Sequence, residues 1–164
     1  MKKTHYLAQA GVIAALYTVL TLLTNLFGLA SGVVQVRISE ALCILTCFTP
    51  AAIPGLFIGC IVSNIVTGGV VWDVIFGSLA TLIGAVITRK LSDNRILACI
   101  PPITANTIIV PFVLRYAYGV DSAFWYMFLT VFAGESISCG ILGQLLYTAV
   151  EKRNLFQRDT KADK

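Results

Sequence analysis

Long apolar stretches separated by short polar connections run through most of this 164-residue chain. A stretch of about 20 apolar residues is long enough, as an α-helix, to cross the hydrocarbon core of a bilayer. We therefore predict an all-α membrane protein, a bundle of six transmembrane helices that forms a single integral membrane domain over residues 1–164. The predicted spans are 6–27, 40–49, 55–67, 73–90, 96–118 and 123–150, followed by a charged tail at 151–164.

The second and third spans are short, and their arrangement stays open at the level of sequence. Pro50 and the Pro54-Gly55 pair force a turn between them, since proline interrupts a helix, and Gly68-Gly69 ends the second of the two. Two short or bent spans fit this pattern, and so does one re-entrant hairpin over 40–67.

Composition supports a membrane protein. Hydrophobic residues make up 57% of the chain and charged residues only 12%, with a mean hydropathy of +0.85, whereas soluble domains carry about 25% charged residues. The length allows one bundle. The sequence contains neither an ATP-binding loop nor a catalytic motif, so we expect no enzyme, and energy-driven work would need partner subunits.

Basic residues predict the orientation. With six spans, both termini lie on one side of the membrane. That side receives ten of the 12 Lys and Arg residues, and the other side only Arg37 and Arg115. Because cytoplasmic connections carry the excess of Lys and Arg, both termini and the tail are predicted to be cytoplasmic, in a multi-pass protein of a prokaryotic cell membrane.

The five cysteines all lie within apolar runs, and no C-x-x-C pair occurs. Cys43 and Cys47 share a helix face, but no histidine or acid that would complete a metal site stands beside them. We interpret the cysteines as packing residues and predict neither a metal nor a cofactor.

Small residues mark one face of the first span. Ala10 and Ala14, with Gly11 and Ala15, form two overlapping small-x-x-x-small pairs, and such a face lets another helix approach closely in lipid. We predict a contact with a partner subunit here. Packing within the chain itself is the alternative.

Polar residues from three connections converge on the predicted outer side. Arg37 and Glu40, three apart, can pair at a helix start, and Asp73 is favoured at a helix N-terminus in any case. Trp72 is also a natural interface anchor, and Arg115 lies near the end of the fifth span. Their convergence, rather than any one of them, indicates the mouth of a binding site.

Asn106 and Glu135 fall deeper. Glu135 lies twelve residues into its helix, about 18 Å along it and so near the midplane. A carboxylate at that depth is costly unless it faces the protein interior. It is therefore predicted to contact a ligand at the bottom of an outward-open pocket. Pairing with Arg115, or burial in the protonated form, are the structural alternatives.

The six-span pattern, the Ala10-x-x-x-Ala14 motif, and the blocks VQVRISEAL and WDVIFGSLATLIGA together resemble the substrate-binding S component of an energy-coupling factor (ECF) transporter. More narrowly, they resemble the QueT family, assigned to uptake of queuosine precursors. The resemblance covers essentially the whole chain. It implies a subunit that binds its ligand outside the cell, associates with a membrane scaffold subunit driven by two cytoplasmic ATPases, and topples to release its cargo.

The ligands that this resemblance implies are 7-deazaguanines such as preQ1, preQ0 or queuine. A guanine-like edge offers two adjacent N–H donors to one carboxylate, and Glu135 is our first choice for that role. Asn106 can read the remaining edge, Trp72 can stack on the ring, and Glu40 or Asp73 can meet an ammonium group. Another small vitamin-like heterocycle is an alternative cargo. A structural or assembly protein without cargo is the alternative function.

Overall fold

The computed structural model describes residues 3–28, 36–153 and 156, and every regular element within them is helical. Six α-helices alternate with stretches of other helical geometry. The elements are α1 (Lys3–Leu26), a 3₁₀ segment (Ile38–Cys47), α2 (Ala52–Val66), α3 (Val71–Lys90), a short 3₁₀ turn (Leu97–Cys99), α4 (Ile100–Tyr116), α5 (Phe124–Glu135), a π segment (Ser136–Leu142) and α6 (Gly143–Arg153).

The all-helical prediction is confirmed for this part of the chain, whereas the number of membrane crossings is confirmed only in part. Four helical stretches are long and apolar enough to cross a bilayer: Lys3–Leu26, Val71–Lys90, Leu97–Tyr116 and Phe124–Arg153. The two elements between α1 and α3 are shorter, at 10 and 15 residues. Their crossing of the membrane stays a prediction, as does the orientation of the termini. Most of the predicted tail lies outside the described residues.

Successive helices pack side by side: α1 contacts α2, α2 contacts α3, α3 contacts α4, and α4 contacts α5. The α1–α2 contact is close, because glycines of α2 lie against the α1 backbone. A Cβ atom at Gly55 would lie 2.8 Å from the Ala10 carbonyl oxygen, and one at Gly59 would lie 2.9 Å from that of Ala14. This close approach is the packing that small residues permit in lipid.

The 3₁₀ segment lies in the centre of the bundle. Every residue from Ser39 to Cys47 is buried, and the segment contacts α1, α2, α3, α6 and the π segment. Runs of 3₁₀ helix this long are uncommon, and irregular backbone at membrane depth is tolerated only where protein surrounds it. At its far end, Arg89 donates hydrogen bonds to the carbonyl oxygens of Thr46 (3.2 Å) and Cys47 (3.4 Å), which satisfies carbonyl groups that a helix end leaves unpaired.

The last predicted span corresponds to one continuous helical stretch with a change of geometry inside it. The α5 helix ends at Glu135, the π segment follows at once, and α6 continues to Arg153. π-helical turns are rare in proteins, and those that occur are often found at functional sites. A π segment directly after a buried acid therefore marks this part of the helix as a candidate functional site.

Candidate functional site

A polar cavity of about 340 Å³ lies at one end of the bundle, where α2 and α4 end and α3 begins. Ligand pockets typically enclose about 300–1,000 Å³, so its size suits a small heterocycle. Gly68, which lines the cavity, and the nearby Gly119 have positive φ angles of 73° and 66° and so allow the chain to turn sharply. The polar side chains that line the cavity are Thr21, Thr24, Asn25, Arg37, Ser39, Asn64, Thr67, Asp73 and Tyr118.

Asp73 joins three connections at the mouth of this cavity. Its Oδ2 atom accepts a hydrogen bond from the Tyr118 hydroxyl (3.0 Å) and lies 3.8 Å from Nη2 of Arg37. Its backbone carbonyl accepts a hydrogen bond from Nδ2 of Asn64 (3.3 Å). Burial, followed by the negative charge of Asp73, raises the pKa of Tyr118 above its ordinary value, so the hydroxyl keeps the proton it donates.

Arg37 is charged and only partly exposed. Burial alone would lower the pKa of its guanidinium, but the attraction of Asp73 and of other nearby groups raises it overall. The predicted pairing of Arg37 with Glu40 at the helix start is not what the structure shows. The salt-bridge partner of Arg37 is Asp73, on a different element.

A second polar layer lies about one helical turn below the cavity. Tyr17 is four residues from Thr21 on α1, and Asn106 is four residues from Val110 on α4, where Thr21 and Val110 line the cavity. Residues four apart share a helix face. Glu40 follows the cavity-lining Ser39, and Glu135 joins this layer from the end of α5.

Glu40 is fully buried and well supplied with donors. The Tyr17 hydroxyl donates a short hydrogen bond to its Oε1 atom, and the Thr81 hydroxyl lies 3.2 Å from the same oxygen. The Cys43 thiol lies 3.3 Å from Oε2. A carboxylate that accepts several hydrogen bonds is stabilised in its charged form. The position of Glu40 in the first turn of the 3₁₀ segment favours the negative charge further.

Glu135 lies beside Glu40 but has far fewer donors. Its exposed fraction is 3%, and its Oε2 atom has a long contact of 3.6 Å with the Cys139 sulfur. The same sulfur lies 3.4 Å from the backbone oxygen of Glu40, so the π segment and the 3₁₀ segment meet here. One side-chain oxygen from each acid and the Cys139 sulfur all lie within 4.8 Å of one another.

Three such atoms could in principle hold a metal ion. The hydrogen bonds that Glu40 accepts from Tyr17 and Thr81 already meet the needs of its carboxylate without one. We therefore interpret the group as two neighbouring buried acids, of which Glu40 is held by hydrogen bonds from other side chains.

Asn106 has unused hydrogen-bonding capacity next to these acids. Its exposed fraction is 1%, and neither its Nδ2 nor its Oδ1 atom has a hydrogen-bond partner among the described residues. It lies close enough to Glu135 for a weak hydrogen-bond interaction, but in a geometry that leaves both amide atoms without a full hydrogen bond. Buried polar groups nearly always have hydrogen-bond partners. An amide without a full hydrogen bond beside a carboxyl group with few donors is therefore what a binding site for a polar ligand would present.

Two predicted site residues lie away from this cavity. Trp72 is 58% exposed and lines a separate apolar groove of about 390 Å³ with Phe76, Ile108 and Phe112. Arg115 pairs with Asp121 at 2.8 Å on the rim, so the suggested pairing of Glu135 with Arg115 is wrong. The roles predicted for Trp72 and Arg115 in ligand binding stay predictions that the geometry does not favour.

The small residues of α1 divide into two faces. Ala10 and Ala14 face α2, against Gly55 and Gly59, whereas Gly11 and Ala15 are exposed on the outer surface. Ala10 and Ala14 therefore pack within the chain, as the alternative interpretation expected. Of these four residues, Gly11 and Ala15 are the two that remain exposed for a partner.

The sequence reasoning missed Tyr17, the main donor to Glu40. A signal was present, since Tyr17, Thr21 and Thr24 recur at helical spacing in a mostly apolar span. Thr81 and Cys139 gave no such signal, because each resembles an ordinary packing residue of a membrane helix.

Comparisons with known proteins agree with one another. A family model described as QueT transporter matches residues 7–152. The chain is 37% identical over 82 residues to the queuosine precursor transporter QueT of Lactococcus lactis subsp. cremoris (strain MG1363). That alignment covers 49% of this chain and 47% of the relative, so it spans about half the length of the curated relative. No solved structure matches the chain significantly.

Proposed function

Because the chain belongs to the QueT transporter family, we propose that it is the membrane subunit that binds a queuosine precursor for uptake into the cell. The cargo would be a 7-deazaguanine such as preQ1, preQ0 or queuine. The subunit would sit in the plasma membrane with its cavity outward and would deliver the cargo through an ATP-driven ECF module.

The observation that carries this proposal is that an acid with few hydrogen-bond donors lies next to an amide without a full hydrogen bond, about one helical turn below a polar cavity whose lining includes neither residue. Glu135 and Asn106 are 3% and 1% exposed, and each lacks the strong hydrogen bonds that such burial normally requires. A ligand that brings both donors and acceptors would supply them.

A 7-deazaguanine provides these groups on one edge. Its ring N–H and exocyclic amino group present two adjacent donors, which match the two oxygens of Glu135 in a charge-assisted pair. Its carbonyl oxygen can accept from Nδ2 of Asn106. Glu40 has its donors already and would hold the pocket in shape, while Asp73 at the mouth would meet any ammonium on the side chain of the ligand.

The Gly11–Ala15 face of α1 is the proposed contact with the scaffold subunit. Both residues are exposed, and nothing lies within 4 Å of a Cβ atom placed on Gly11. A second helix could therefore approach the α1 backbone closely, as small residues allow. Two cytoplasmic ATPases would then power release of the cargo.

Isothermal titration calorimetry on the purified protein tests the binding proposal. We expect at least one of preQ1, preQ0 and queuine to bind more tightly than guanine and unrelated vitamins. In Glu135→Gln, one acceptor becomes a donor that faces a donor of the ligand. A hydrogen bond to a charged group contributes about 1.5–3 kcal/mol, so the affinity should fall about tenfold to over a hundredfold.

The matched control is Glu151→Gln, because Glu151 is an exposed acid on α6. This variant should keep wild-type affinity. If unrelated heterocycles bind best, the cargo differs from a deazaguanine. If nothing binds and ligand never raises the melting temperature, the alternative of a structural or assembly protein is favoured.

A further inference from the structure

Glu40 and Glu135 are two neighbouring buried acids, and their carboxylates would repel each other if both were charged. A side-chain oxygen of Glu40 and one of Glu135 lie within 4.8 Å of each other inside the bundle. Two carboxylates that share a buried site cannot both keep their charge without compensation, so one of them holds a proton.

The groups around the pair offer little compensation. Arg37 is the cation among the described residues that interacts with both acids, and it is already paired with Asp73. The other titratable groups that face the pair, from α1, the 3₁₀ segment, α2 and the π segment, are Tyr17, Cys43, Cys60 and Cys139. Phenols and thiols are ordinarily neutral near pH 7. The α3 and α4 helices contribute the uncharged Thr81 and Asn106.

The hydrogen bonds decide which acid is charged. One oxygen of Glu40 accepts hydrogen bonds from the Tyr17 and Thr81 hydroxyls. The other oxygen accepts one from the Cys43 thiol. Glu135 has a long contact with the Cys139 sulfur and a weaker interaction with the Asn106 side chain. Environments that differ in this way separate the two acids into one charged and one neutral member.

We propose that Glu40 and Glu135 hold a single proton in the empty protein, that Tyr17 keeps the negative charge on Glu40, and that Glu135 gives up the proton when ligand binds. This inference rests on the proposed function. The O–H bond of Glu135 breaks and its proton passes to water through the cavity. Both Glu135 oxygens then accept the paired N–H groups of the ligand, so binding exchanges one proton for one ligand. Tyr17 acts through Glu40 and is a positioning residue.

The shared proton is tested without any ligand. Infrared spectra of the unliganded protein at neutral pH should contain the carbonyl band of a buried protonated carboxyl group. Glu135→Gln should lose this band, and Glu151→Gln should keep it, because Glu151 is exposed. A wild-type spectrum without the band would overturn the proposal.

The exchange is tested with 7-deazaguanine itself, whose lack of an amine side chain leaves nothing else to titrate. Calorimetry in buffers of different ionisation enthalpy should report release of about one proton per ligand. The wild-type affinity should rise with pH by up to about tenfold per pH unit while the proton is held. Glu135→Gln should bind weakly, without proton release and with a flat pH profile. Ligand binding to the wild type without proton release would overturn the exchange.

Tyr17→Phe separates positioning from simple packing. Without the Tyr17 hydroxyl the charge on Glu40 is less stabilised, so the single proton of the pair should move toward Glu40. The pair should then keep that proton up to a higher pH, and the affinity profile should shift the same way. A lower melting temperature with an unshifted profile would contradict the positioning role. If the carboxyl band is present but no deazaguanine binds, the proposed function and the exchange both fail, while the shared proton stands.

Discussion

Two buried asparagines near the cavity are in opposite situations. Asn64 donates to the Asp73 carbonyl at 3.3 Å and contacts the Cys60 sulfur at 3.6 Å. Asn106 has no hydrogen-bond partner within the described part of the chain. A residue that stabilises the fold should have its hydrogen-bond partners in the unliganded protein. A residue that binds a ligand can instead form its hydrogen bonds with that ligand. We therefore propose that Asn64 stabilises the fold and that Asn106 binds the ligand.

Substitution by leucine should separate these roles. Asn106→Leu removes two buried unpaired groups, so the unliganded protein should melt at the wild-type temperature or above it. Its affinity for the best deazaguanine should nevertheless fall about tenfold or more. Asn64→Leu, the matched control, breaks existing hydrogen bonds and should lower the melting temperature. Melting curves measure the stability of both variants, and calorimetry measures their affinity for the ligand. An Asn106→Leu protein that is destabilised as much as Asn64→Leu would show that Asn106 is structural.

At the scale of elements, the acids lie where regular α-helical geometry is lost. Glu40 is in the first turn of the 3₁₀ segment, and Glu135 is the last residue before the π segment. These two segments contact each other through Cys139 and the Glu40 backbone. Their irregular backbone is held in place by the regular helices around it, above all by the close pair α1 and α2. Tyr17 projects from that pair onto Glu40.

Two glycine substitutions test the two faces of α1. A side chain at Gly59 would start 2.8 Å from Cβ of Tyr17, so Gly59→Leu should destabilise the protein by about 1–3 kcal/mol and weaken ligand binding through Tyr17. Gly11→Leu points into open space and should change neither the melting temperature nor the ligand affinity. It should, however, reduce co-purification with the scaffold subunit and uptake by cells. Normal complex formation by Gly11→Leu would remove this face from the proposed partner contact.

At the scale of the whole molecule, the polar cavity lies at one end and most of the described basic residues, other than Arg37 and Arg115, lie at the other. The α3 helix begins beside Asp73 at the cavity and ends at Arg89 and Lys90, about 24 Å further along. Arg95 follows in the next connection. Since basic connections stay in the cytoplasm, this distribution favours a cavity that opens to the outside, as the proposed uptake requires.

Thiol labelling in intact cells tests this orientation. The five native cysteines are all buried, so single cysteines can be introduced without removing them, and the unmodified protein is the background control. Ser122→Cys, near the cavity end, should react with a membrane-impermeant reagent. Ser92→Cys, in the connection after α3, should react only after the cells are opened. The reverse pattern would place the cavity in the cytoplasm and would be incompatible with the proposed uptake.

The sequence by itself determined the all-helical fold with its long apolar helices, and it marked the polar residues that the bundle buries. Hydrophobic runs of span length have few alternatives to a helix in lipid, because the backbone must satisfy its own hydrogen bonds there. The same reasoning marked Glu135 and Asn106 as buried polar residues that need an explanation. It also expected Asp73 near the mouth, where the structure places it.

Only the tertiary structure decided which residues meet. Arg37 pairs with Asp73 and not with Glu40, and Tyr17 donates a hydrogen bond to Glu40. Ala10 and Ala14 pack against α2. Trp72 is exposed on the outer surface. These outcomes depend on the rotation of each helix about its axis and on the 3₁₀ and π geometry at the acids. In a chain that is apolar on nearly every face, hydrophobic periodicity does not fix that rotation, since lipid and protein neighbours are equally apolar.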